Sequence, residues 1–220
     1  MDDDGRSGLL QLPPGLVQRR VDGRPLGSFR PDDWHRASAA LFQDFVHFAF
    51  RARESIGVGD IDRIDDPAAV EAAIDRARTR SVTDRIGSLD SYLGRDYRDG
   101  EELSGGQWQT VGLARSLVKD SPLVLTLDEP GHSLDPESEL RMIEAYETAA
   151  RDFATRTGAI TFYVTHRLSS VRSADLVLVL RDGRIDAIGT HDDLVAANGY
   201  YADLFTTQAL AYTDQAGESC

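Results

Sequence analysis

Leu123-Val124-Leu125-Thr126-Leu127-Asp128-Glu129-Pro130 is the stretch on which the fold turns. The apolar run sits between Pro122 and two acids, too short for a buried helix, and is expected to be an interior strand of a parallel sheet. Two consecutive carboxylates at its end would stand at the carboxyl edge of that sheet, where open α/β domains place their ligands. One of the pair could hold Mg²⁺ through water while its neighbour orients or deprotonates an attacking water. An acidic cap for the following helix is the competing reading, although Asp135 is better placed to cap it.

Working outward, Asp135-Pro136-Glu137 opens a long amphipathic helix carrying Leu140, Ile143, Tyr146, Ala150 and Phe153, ending near Gly158. Ala159 to Val164 is a second apolar strand, followed by Thr165-His166-Arg167 and a short helix over Leu168 to Ser173. Leu176 to Leu180, the turn Asp182-Gly183 and Ile185 to Ile188 form a hairpin. Thr190 and Asp193 cap a last helix that Gly199 closes. Upstream, Val21 to Leu26 makes a tight turn, and Ser38 to Phe45 contains a short strand delivering Gln43 to its end. Asp66-Pro67 starts a helix with Val70, Ile74 and Ala77 on one face. The alternation of strands with helices places the chain in the α/β class with a mostly parallel sheet.

Two further stretches carry chemistry. Leu103-Ser104-Gly105-Gly106-Gln107 sets a hydroxyl and two glycines ahead of a helix over Gln107 to Val118. Free backbone N–H groups and the helix dipole there suit an approaching phosphate. A flexible loop leading into the helix would account for the same residues. His166 follows the second apolar strand at the same sheet edge, within reach of a γ-phosphate and a water; a structural histidine is the bland alternative.

Composition narrows the classes. The 220 residues are 41% hydrophobic, enough for one core and most simply one domain. A net charge of −13 argues against nucleic acid as a partner, since phosphate backbones need a basic face. The one cysteine, Cys220, rules out a disulfide within the chain. No run approaches the ~20 apolar residues of a membrane span, and Met1-Asp2-Asp3-Asp4 is the reverse of a basic leader, so the chain reads as soluble and cytosolic in character.

In this order, the glycine-rich loop, the acidic strand end, Leu134-Asp135 and Thr165-His166-Arg167 resemble the nucleotide-binding domain of ATP-binding cassette (ABC) transporters, over about Val21 to Tyr212. The resemblance implies a P-loop NTPase-like ABC ATPase fold with a helical signature subdomain at about 45–118, and ATP and Mg²⁺ as its small molecules. It implies Glu129 as general base, His166 as switch histidine and Asp128 on the magnesium side. Gln43 resembles the glutamine that touches Mg²⁺, partly through water. Ser104, Gly105, Gly106 and Gln107 would form the signature contacting ATP on a partner domain, and Asp135 would be a dimer contact. Gln107-Trp108-Gln109, Gly189 to Leu194 and Tyr200 to Phe205 are similar to the exporter branch. Partners implied are a transmembrane domain, fused or separate, and a second nucleotide-binding domain, at the cytoplasmic face of the membrane.

The departures are specific. Where the family carries its phosphate-binding loop, this sequence has Gly5-Arg6-Ser7 without the upstream glycines, and a guanidinium is a poor substitute for a lysine ammonium in a tight backbone loop. Gly131-His132-Ser133 replaces the usual Thr-Ser-Ala, and Thr110 stands where arginine is usual. The sequence is therefore expected to be truncated before or within that loop, with residues 1–20 irregular and mobile and 213–220 a disordered tail. The strand ending in Asp128 is expected to lack a neighbour on one edge. An ATPase-deficient module lending its signature loop to a competent partner is the alternative function.

Overall fold

The computed structural model describes residues 19–131, 134 and 136–217, and within it α/β architecture is realised with a parallel central sheet. A tight hairpin of β1 (Arg20–Val21) and β2 (Arg24–Pro25) opens the described chain. Helix α1 (Pro31–Ala37) leads into β3 (Ser38–Leu41). Then come α2 (Ala52–Gly57), α3 (Pro67–Arg76), α4 (Arg80–Ile86) and α5 (Gly105–Ser116). Strand β4 (Val124–Asp128), helix α6 (Pro136–Thr157) and β5 (Ile160–Val164) complete the centre. A 3₁₀ turn over Leu168–Val171 connects to the hairpin β6 (Val177–Arg181) and β7 (Arg184–Gly189), then α7 (His191–Ala196) and α8 (Tyr200–Gly217).

The expected lone edge on the acidic strand is not found. β4 lies in the middle of the order β3-β4-β5, parallel to both neighbours, with Leu41 opposite Leu127 and Asp128 opposite Val164. The apolar Ser38–Leu41 segment supplies the partner, so the backbone groups of β4 are used on both sides. One sheet face is well covered: Leu41, Leu125 and Leu127 are buried against the helices in a cluster that also holds Val70, Ile74 and Phe153. The other is open at β5, where Ile160, Phe162 and Val164 are each more than half exposed, and Leu178 and Leu180 of β6 are similarly exposed.

Local signals read well where they were strong. Asp66 caps α3, its carboxylate accepting from the N–H groups of Ala68 and Ala69 at 3.0 and 3.3 Å. Asp182 and Gly183 both take positive φ, as a type I′ hairpin turn requires. Along α6 the buried face is Met142, Ala145, Tyr146, Ala149 and Phe153, while Leu140 is exposed, so the expected stripe was right in two members and rotated in the rest. Thr190 and Asp193 do form a reciprocal cap, but for α7. The chain turns into α8 instead of ending, and Asn198, not Gly199, takes the left-handed conformation between them. Helix α8 runs on to Gly217, past the domain boundary expected at 212. Gly5-Arg6-Ser7, His132, Ser133 and Asp135 lie outside the described residues. No helix of the described residues is long and apolar enough to cross a membrane.

Candidate functional site

Because β3, β4 and β5 are parallel and in register, their carboxyl ends fall at one edge. Gln43 stands in an exposed turn just beyond β3, Asp128 closes β4, and His166 follows β5 by two residues. At the end of β4 the backbone turns sharply. Glu129 has φ 44°, a left-handed conformation seldom taken by a residue with a long side chain, while its N–H donates to the Val164 carbonyl at 3.0 Å. That tie to β5 sets the carboxylate beside the histidine.

The two meet directly. His166 Nδ1 lies 2.9 Å from Glu129 Oε1. An ionised carboxylate can only accept, so the Nδ1–H donates, and in the neutral ring Nε2 is left as an acceptor. The Glu129 side chain is about a quarter exposed and that of His166 64% exposed, so the pair opens to solvent on the histidine side. Around it is a shallow recess lined by Glu129, Gly131, Glu139, Tyr163, Thr165, His166 and Arg167. It is open to solvent and has room for little more than one water, so it does not by itself enclose a nucleotide. Burial pushes the Tyr163 phenol up from its ordinary value, keeping it a neutral wall of the recess.

Two contacts hold the histidine segment from outside. Arg167 pairs with Glu139 of α6, both half-buried or deeper. Gly131 makes room for this: a Cβ there would stand 3.0 Å from Glu139 Cγ. From α8, the Gln208 amide bonds the backbone on both sides of Arg167. Glu139, Tyr163 and Gln208 were not legible as site residues, since each is brought in from a different element with no local pattern to announce it.

The glycine-rich loop is elsewhere. Ser104 and Gln107 form a reciprocal cap on α5, in which Ser104 Oγ accepts from the Gln107 N–H at 3.3 Å and Gln107 Oε1 accepts from the Ser104 N–H at 2.8 Å. Gly105 and Gly106 stand in the first turn beyond it. None of Gln43, Ser104, Gly105, Gly106, Gln107 or Asp128 lines the recess. The structure thus joins Glu129 to His166 and leaves the loop outside the recess.

No cluster of three or more metal-ligating side chains occurs among the described residues. Asp128 at the sheet edge suits a magnesium ion that takes most of its ligands from phosphate and water, which is how Mg²⁺ is usually held beside nucleotides.

The sequence model of the ABC transporter family matches residues 5–132. The nisin transport ATP-binding protein of Lactococcus lactis is 29% identical over 95% of this chain and 34% of its own length. An ATP-dependent lipid A-core flippase of Cupriavidus metallidurans is 37% identical over 93% of this chain and 34% of its own. The structure of a bacterial Atm1-family ABC exporter with ATP bound superimposes with a TM-score of 0.71 at 30% identity, over 86% of this chain and 31% of that one. The chain thus spans about a third of the length of the curated relatives it matches.

Proposed function

Since the chain belongs to the ABC transporter family, we propose that it is the ATP-binding and ATP-hydrolysing domain of an exporter, powering efflux across a membrane. The observation that carries this reading is the 2.9 Å contact between His166 Nδ1 and Glu129 Oε1 at the carboxyl edge of the parallel sheet. Glu129 is the general base: its free oxygen accepts a proton from a water in the recess as that water attacks the γ-phosphate. His166 holds the carboxylate in place through Nδ1–H, and its outer nitrogen, an acceptor in the neutral ring, faces the attacking water. Phosphate charge is met by Ser104, Gly105 and Gly106 of a second domain, which explains why the loop stands apart from the recess in one copy. Magnesium, held by Asp128 and by Gln43 partly through water, would supply charge neutralisation on the β- and γ-phosphates. The partners are a second nucleotide-binding domain and a transmembrane domain, and the site of action is the cytoplasmic face of the membrane. Domain limits near 21 and 212, with a helical subdomain at about 45–118 and Asp135 at the dimer contact, belong to the same proposal.

The test is Glu129→Gln in the assembled transporter. General-base loss removes a factor of about 10²–10⁴, so ATP turnover should fall by at least about a hundredfold while ATP still binds. Turnover at the parent rate would overturn the role of Glu129.

A further inference from the structure

The histidine segment is fastened by a helix far from it in sequence. Gln208 of α8 donates from Nε2 to the carbonyl oxygen of His166 at 2.7 Å, and its Oε1 accepts from the N–H of Leu168 at 2.9 Å. One amide therefore satisfies an acceptor and a donor that flank Arg167, in the way a neighbouring strand would. The residue type is nearly dictated: a carboxylate offers no donor to His166, an ammonium no acceptor to Leu168, and asparagine is a methylene shorter.

Helix α8 is itself rigidly aimed. Tyr201 is buried, its hydroxyl 2.8 Å from His191 Nδ1, and Phe205 packs edge-on to the same imidazole with ring centroids 4.8 Å apart. Tyr201 belongs to a second small core with Val177, Val179 and Leu194, against which Leu168 also packs. On the opposite side Arg167 is held by Glu139 of α6. The imidazole of His166 is largely in solvent, with Glu129 as its hydrogen-bond partner. A ring so exposed keeps one orientation only if its backbone is held. We infer that Gln208 is a positioning residue which sets His166 against Glu129, so that the C-terminal helix forms part of the hydrolytic site. The inference rests on the role given to His166 above.

Two variants test it. Gln208→Met keeps the side-chain length and removes both hydrogen bonds; Gln208→Glu keeps the acceptor for Leu168 and loses the donor to His166. In the full chain, amide exchange at Leu168 should quicken by about 5- to 10-fold in Gln208→Met, the factor for one lost hydrogen bond, and stay near the parent rate in Gln208→Glu. In the assembled transporter both variants should lower kcat for ATP by about fivefold or more with KM unchanged, because a positioning residue acts on the transition state and not on nucleotide binding. Unchanged exchange in Gln208→Met would overturn the clasp, and unchanged kcat in both variants would overturn its role in positioning. A parent transporter that turns over no ATP would count against the reading of the site itself, while the exchange rates would still decide the clasp.

Discussion

Gly59 shows how a single residue can fix the close packing of two segments. A Cβ at this position would overlap the backbone carbonyl oxygen of Arg115 near the end of α5. Arg115 cannot retreat, because its guanidinium donates to the carbonyls of Ser55 at 2.7 Å and Val46 at 2.9 Å and lies 4.6 Å above the Phe48 ring. Burial pulls that guanidinium down to about 10, the cost of desolvating a charge whose partners are neutral carbonyls. Gly59→Ala should therefore destabilise the chain by about 1–3 kcal/mol through overpacking, read as a lower urea midpoint. A midpoint equal to the parent's would show that the backbone can shift there after all. Residue-scale legibility was uneven for the same reason. Glu129 and His166 were readable because each ends an apolar strand, whereas Gly59, Glu139 and Gln208 matter only through what folding brings against them.

At the scale of elements, the segment that leaves β3 through Gln43 is tied to α5 by a ring stack. His47 lies parallel to Trp108, with centroids 4.6 Å apart and planes 4° from each other. Burial, and then the nearby Arg115 charge, push the His47 imidazole below its ordinary value of 6.5, although the residue as a whole is exposed. The folded state thus disfavours the protonated ring. Stability from this site is complete above the ordinary value and is lost as pH falls through the lowered folded value. Urea stability should decline as pH falls below about 7, and His47→Phe, which keeps an aromatic ring and removes the titration, should flatten part of that slope. An identical slope in His47→Phe would exclude the stack as a source of it. Strands, caps and the β6–β7 hairpin were expected from the sequence because their signals are local. Helices α1, α2, α4 and α8 were not, since short helices with mixed polarity are stabilised by packing more than by pattern.

Across the whole molecule, 37 acidic residues face 24 basic ones. Many basic groups are already paired: Arg63 and Arg76 share Asp120, and Arg80 bridges Glu71 and Asp75. The uncompensated charge repels itself across the surface, and salt shortens the range of that repulsion. Raising ionic strength from about 0.01 M to about 0.15 M, which shortens the screening length from roughly 30 to 8 Å, should raise the Tm of the chain. A Tm that falls with salt would mean that the ion pairs outweigh the repulsion.

By itself the sequence determined the α/β class, the parallel strand ending in Asp128-Glu129, the histidine after its neighbour and the glycine-rich loop at Ser104 leading into a helix, all of which depend on residues within a few positions of one another. Only the tertiary structure decided that Ser38–Leu41 pairs with β4, that Glu129 and His166 touch, and that α6 and α8 grip the histidine segment from either side. Those contacts join groups 28, 37 and 42 positions apart, or more, and nothing in local pattern distinguishes the partner chosen from the many polar side chains that were not. Packing of the two apolar clusters makes that choice, because it fixes where each helix lies and so which polar groups come within reach of one another.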